Sequence, residues 1–155
     1  MERSEIILHL ESCDFFEGLQ REYLREIANL CHLESYAAGD KIFRQGDLGD
    51  RIFIVVEGHV FLERSMDVGT RKGSAVIGVL SKGRGFGCWS TLLDEKHTLM
   101  SSAVCRKPTR VLVIRGSDLR QMMLEKIELG FNVLERLCFL LQDRLKGAYD
   151  AMENI

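Results

Sequence analysis

Proline is almost missing from these 155 residues, with Pro108 the single instance, so no proline-rich linker divides the chain. Tryptophan also occurs once, and aromatic residues make up only 8%. Neither sign of charge is in large excess. Lys plus Arg is 21, Asp plus Glu is 23, and the formal net charge is -2, so no global positive field draws in phosphates, and direct nucleic-acid binding is not expected. No apolar run approaches the ~20 residues that span a bilayer, and the start, Met1-Glu2-Arg3-Ser4-Glu5, is too acidic for a signal peptide. These absences point to a cytoplasmic protein that does not enter the membrane.

Metal, disulfide and catalytic signatures are equally scarce. The cysteines Cys13, Cys31, Cys88, Cys105 and Cys138 are odd in number and never spaced C-x-x-C. His9, His32, His59 and His97 form no H-E-x-x-H or comparable pair. No metal site is therefore expected, and the cysteines read as free, buried thiols. There is no P-loop, no G-x-S-x-G and no nucleophile-base pairing, so the chain reads as a non-enzyme.

What is present is a globular composition, 46% hydrophobic and 28% charged, over a length suited to one domain, residues 1–155. Ten of the 14 glycines fall between Gly39 and Gly87, whereas both flanks carry Leu, Glu and Arg at helical spacing. The order is helix, strands, helix. Leu19, Tyr23, Ile27 and Leu30 predict an amphipathic N-terminal helix, with a shorter one before it around Ile6 to Leu10, inside a helical region 1–32. From 33 to 115 the segments are short, β-rich and punctuated by Gly39-Asp40, Gly46-Asp47, Gly49-Asp50 and Gly58-His59. Seven or eight strands without intervening helices predict an antiparallel β-roll or jelly-roll barrel, so the class is α+β, mainly β.

After the last strand, Ser117 is a plausible N-cap for a helix reaching about Glu128, and Gly130 is expected at a bend. C-terminal helices then cover 117–152. Phe131, Leu134, Cys138, Leu141 and Leu145 recur in steps of three and four, as an a/d seam does, while Val133, Leu137 and Leu140 form a neighbouring stripe. Two stripes imply two partners: the chain's own barrel and the same helix of a second subunit. A homodimer is expected, the alternative being one wide core-facing helix.

Gly39-Asp40, Gln45-Gly46-Asp47, Gly49-Asp50, Ile52-Phe53-Ile54 and Glu57-Gly58 resemble the early strands of the cyclic-nucleotide-binding domain family. Residues 83–104 look like its phosphate-binding cassette, and with the flanking helices the resemblance covers nearly the whole chain. It is the sensor domain of catabolite-activator-type bacterial regulators that is most similar; those continue into a DNA-binding domain, which this sequence, if complete, lacks. The resemblance implies a glycine-entered helix start that offers backbone N–H groups to a cyclic phosphate. Phe86, Gly87, Cys88, Trp89, Ser90 and Thr91 fit that segment.

Cyclic-nucleotide binders of this family follow the cassette glycine with a Glu for the ribose hydroxyl and place an Arg about a dozen residues on for the phosphate. Here the Glu position falls on Cys88, or on Trp89 if the register slips. The Arg position falls on Leu99, or on Met100. Each lost charge-assisted hydrogen bond removes about 1.5 to 3 kcal/mol, so losing both weakens binding roughly a hundred- to ten-thousandfold, unless Ser90, Thr91, Lys96, His97, Ser101 or Ser102 compensate.

Three functions stay open. The first is a regulatory domain that senses cyclic AMP or cyclic GMP weakly, or another small molecule, and signals through its C-terminal helix. The second is a ligand-independent scaffold that dimerises and holds a downstream protein partner. The third is a cysteine- or cofactor-based redox sensor, although the clustered N-terminal cysteines of the family's iron-sulfur branch are missing.

Overall fold

A computed structural model describes residues 1–95 and 97–154, with the side chain of Val68 left aside. Helices α1 (Arg3–Glu11) and α2 (Arg21–Ala28) precede eight strands: β1 (Cys31–Tyr36), β2 (Lys41–Phe43), β3 (Arg51–Glu57), β4 (Val60–Val68), β5 (Arg71–Leu80), β6 (Gly85–Gly87), β7 (Ser102–Cys105) and β8 (Thr109–Arg115). A 3-10 helix, Trp89–Leu93, follows β6, and α3 (Gly116–Glu125) and α4 (Ile127–Glu153) close the chain. The strands form two four-stranded antiparallel sheets, ordered β1-β8-β3-β6 and β2-β7-β4-β5. This is the α+β jelly roll with a long C-terminal helix that the glycine distribution predicts.

The first sheet is covered on both faces, which is why β3 and β8 read as unbroken apolar runs. Phe53, Val55, Val111 and Val113 point between the sheets, where they pack with Val60, Leu62, Leu80 and Phe86. Ile52, Ile54, Leu112 and Ile114 point the other way, onto a second core built by the helices through Leu10, Ile27, Leu119 and Val133 and by Phe15 and Phe16 of the α1–α2 turn. Period-two alternation thus serves two cores at once.

Several local expectations need correction. The first helix is the longer of the N-terminal pair, and α2 is confined to eight residues by Gln20 in extended conformation at its start. Ser117 does not cap α3: the N-cap is Arg115, two residues earlier, which holds the extended conformation, and the helix starts at Gly116. The bend lies at Lys126 (φ −127°, ψ 90°), not at Gly130. Gly130 sits inside α4, where a Cβ would stand 2.8 Å from the Met123 carbonyl oxygen, so its role is close approach of α3 and α4. Nor are all cysteines buried, since Cys138 is exposed and Cys31 half-buried.

The two stripes of α4 separate cleanly. Leu129, Val133, Leu137 and Leu140 are buried against the helical core. Phe131, Leu134, Leu141 and Leu145 are 68, 39, 42 and 53% exposed, and Cys138 lies exposed among them. Further along, α4 lies on β5, where Gly147 permits contact; a Cβ there would come within 2.6 Å of the Ile77 carbonyl oxygen.

Candidate functional site

The segment that carries the candidate site begins at β6, the edge strand beside β3, with Phe53 opposite Phe86 and Ile52 opposite Gly87. Gly87 has φ +130°, and a Cβ at that position would meet the Arg51 carbonyl oxygen at 2.5 Å, so glycine is required both by conformation and by space. The Cys88 N–H then donates to the same carbonyl at 3.0 Å. The 3-10 turn Trp89–Leu93 follows, ended by Asp94 in the left-handed region with φ 59°.

Within that turn the candidate residues part company. Trp89 packs on the helical core, its ring 5.2 Å from Phe15. Thr91 is buried, gives its hydroxyl to the Cys88 carbonyl at 2.9 Å, and faces Gly116, where a Cβ would stand 1.7 Å from Thr91 Oγ1. Arg120 of α3 donates to the Leu92 carbonyl at 2.6 Å. Trp89 and Thr91 therefore anchor the turn to the helices. Ser90 is set beside the thiol, Oγ to Sγ of Cys88 at 3.2 Å. Phe86 is stacked on Phe53 at 5.1 Å between the sheets.

Cys88 and Leu99 come together. Both are buried, and a Cβ built on Gly49 would be 2.9 Å from Cys88 Cβ and 3.1 Å from Leu99 Cδ2. Met100, by contrast, is 74% exposed and accepts at its carbonyl a hydrogen bond from Arg64 at 2.5 Å. Ser101 is half-buried, and Ser102 accepts the Gln45 N–H at its hydroxyl, 2.9 Å away. His97 turns to Glu95 at 2.9 Å, with both side chains exposed. Lys96 lies outside the described residues.

The residues that sequence reasoning missed belong to the β2–β3 loop. Gly46 N–H donates to the Leu99 carbonyl at 2.8 Å, Leu99 N–H to the Asp47 carbonyl at 2.7 Å, and Leu48 bridges Thr98. This ladder fixes the wall of a cavity of about 150 Å³, lined by Ile42, Phe43, Asp47, Leu48, Gly49, Asp50, Arg51, Phe53 and Leu99. Arg51 is already engaged: its Nη1 lies 3.1 Å from Glu34, and its guanidinium stands 5.2 Å from the Phe53 ring centroid. Burial pushes the Glu34 carboxyl up, but hydrogen bonds from Tyr36 and His32 and the charge of Arg51 outweigh it and hold Glu34 below its ordinary value. The signal for this wall was the Gln45-Gly46-Asp47 and Gly49-Asp50 spacing, which as sequence reads as turns and carries the family resemblance but does not point to a cavity wall.

Burial also pushes the Cys13 and Cys31 thiols up to about 12, so both stay protonated and unreactive at neutral pH. Among the described residues no group of three or more His, Cys, Asp or Glu side chains is placed to hold a metal ion.

Comparison with known proteins agrees with this architecture. The sequence profile of the cyclic nucleotide-binding domain family matches residues 33–126, more than half of the chain. A cGMP-dependent protein kinase, isozyme 1, of Drosophila melanogaster is 34% identical over 89 residues, which are 57% of this chain and 12% of that kinase. The chain thus spans about an eighth of that relative's length. A cyclic nucleotide-binding domain from Methylobacillus flagellatus superposes with TM-score 0.77 at 24% identity, covering 96% of this chain and 80% of that one. The N-terminal domain of a transcriptional regulator from Streptomyces coelicolor does so with TM-score 0.70 at 24% identity, covering 86% and 92%. These two likenesses are of fold. Through the profile match over residues 33–126, the chain belongs to the cyclic nucleotide-binding domain family.

Proposed function

We propose that this chain is a non-catalytic, small-molecule-sensing regulatory domain of the cytoplasm, dimeric through α4, whose affinity for cyclic AMP and cyclic GMP is much reduced. The observation that carries this reading is the pairing of Cys88 with Leu99 over Gly49. The family's carboxylate and guanidinium positions fall on a thiol and an isobutyl group, neither of which pairs with a ribose hydroxyl or a phosphate. The cavity beside Leu99, about 150 Å³, is smaller than the roughly 300 to 1,000 Å³ of clefts that hold drug-sized ligands.

Signalling through α4 is supported by how that helix is fastened. Arg144 donates to the carbonyl of Gly85, while Asp14 accepts the Gly85 N–H at 2.9 Å. A displacement of β6 is therefore felt at once by α4, and the exposed seam Phe131, Leu134, Cys138, Leu141 and Leu145 is the face that a second copy would cover. A second reading, a ligand-independent scaffold that holds a downstream protein, draws on the close filling around Gly49.

Thermal unfolding with cyclic AMP or cyclic GMP tests the affinity. A dissociation constant near ~1 mM gives a stabilisation of about 1.4 kcal/mol at ~10 mM nucleotide, a shift of several degrees, and close to none at ~10 μM. A saturated shift at micromolar nucleotide would overturn the reduced affinity, and no shift at any concentration with any ligand would favour the scaffold.

A further inference from the structure

We infer that the cavity between the β2–β3 loop and Leu99 takes a small organic cation, an ammonium group carried on a single aromatic or branched aliphatic unit. This deepens the sensing reading by naming a ligand class, and it rests on that reading's assignment of an uncharged cassette.

The floor of the cavity is apolar and rigid. Phe53 is stacked on Phe86 at 5.1 Å, Phe43 lies 5.8 Å from Phe53, and Ile42 and Leu99 are buried beside them. About 150 Å³ is the size of an engineered protein cavity that holds benzene, so one ring fills it and a nucleotide does not.

Among the described lining residues, negative charge exceeds positive. Asp47 and Asp50 line the cavity, both exposed, and Arg51 is the one cation among the described lining residues. Arg51 is paired with Glu34 and lies over Phe53, so its charge at the mouth is offset by that carboxylate. Asp47 accepts the Arg44 N–H at 3.1 Å through one carboxylate oxygen and keeps the other for a ligand. An anion entering here meets two carboxylate residues on the lining, whereas an ammonium meets charge-assisted acceptors on the same lining as Ile42, Phe43, Phe53 and Leu99. The wall is pre-formed, because backbone bonds tie Gly46 and Asp47 to Leu99, so little ordering is needed on binding.

The test is a backbone amide NMR titration of the full chain with benzylamine, and in parallel with benzoate, a ring of the same size and opposite charge. Benzylamine should shift the amides of Phe43, Gly49, Phe53 and Leu99 saturably, with a dissociation constant of about 0.1 to 1 mM, the range that one ring and one charge-assisted bond reach. Benzoate should leave them unmoved. Asp50→Asn should weaken benzylamine about tenfold, and Leu99→Arg, checked for a dispersed spectrum, should abolish it by filling the cavity. No saturable shift at ~10 mM benzylamine, or an equal response to benzoate, overturns the inference on the native protein alone. Cyclic-nucleotide binding by the Cys88→Glu/Leu99→Arg variant reports separately on the cassette, so the two failures are distinguishable.

Discussion

Cys88 and Leu99, eleven positions apart in sequence, close on the same point of the β2–β3 loop: a Cβ on Gly49 would lie 2.9 Å from the Cβ of one and 3.1 Å from the Cδ2 of the other. No room exists for a side chain at residue 49 while both stand where they do. Gly49→Ala should therefore destabilise the fold by about 1 to 3 kcal/mol, the usual cost of overpacking. Chemical denaturation checks this, and Leu99→Ala in the same chain should recover part of the loss.

A tighter contact governs the seat of the 3-10 turn. Since a Cβ at Gly116 would overlap Thr91 Oγ1 at 1.7 Å and Thr91 Cβ at 2.4 Å, Gly116→Ala should cost more than Gly49→Ala does, about 2 to 4 kcal/mol. Thr91→Gly in the Gly116→Ala background should restore stability relative to the single variant, as measured by urea midpoints. Additive losses would contradict the packing described.

The α4 seam makes a prediction about assembly. A charge placed in the centre of an apolar interface has no partner there, so Leu141→Asp should convert the proposed dimer to monomers by light scattering. If the two α4 helices of the proposed dimer run parallel, identical seam residues face each other, so mild oxidation should link Cys138 to Cys138 and Cys138→Ser should remove the linked band on a non-reducing gel. A native chain that runs as a monomer contradicts the assembly.

Acid stability should depend on Glu34. Its carboxyl is held below the ordinary value in the folded chain, so its contribution is fully present above about pH 4.5 and is lost as pH falls through the folded value. Glu34→Gln should flatten the fall in unfolding free energy below about pH 4.5 relative to the native chain. An unchanged slope would show that the Tyr36, His32 and Arg51 contacts do not hold the ionised form.

Legibility in the sequence followed the strength of each physical signal. The glycine-punctuated centre and the double stripe of α4 were readable because period-two and heptad patterns reflect which faces are covered, and burial of Val133, Leu137 and Leu140 beside exposure of Phe131 and Leu145 matches that pattern. The split of Trp89 and Thr91 from Cys88 was not readable, since a 3-10 turn of five residues is too short to show an apolar period and its side chains are directed by contacts with Phe15 and Gly116 far away in sequence. Ser117 and Gly130 misled for a common reason. Both residue types have strong local preferences, yet tertiary contact decided the outcome, with the helix begun at Gly116 under Thr91 and Gly130 placed against Met123. Asp47 and Asp50 read as turn residues and Arg51 as the start of a strand, and they form a cavity rim through the backbone bonds that join the β2–β3 loop to Leu99.

The most direct test of the central claim, that a cyclic-nucleotide cassette is present here without its two charged groups, is isothermal titration of cyclic AMP and cyclic GMP into the native chain and into Cys88→Glu/Leu99→Arg. The account predicts an affinity gain of about a hundred- to ten-thousandfold for at least one nucleotide, from two restored charge-assisted contacts of about 1.5 to 3 kcal/mol each. A folded double variant that binds no better than the native chain would contradict it.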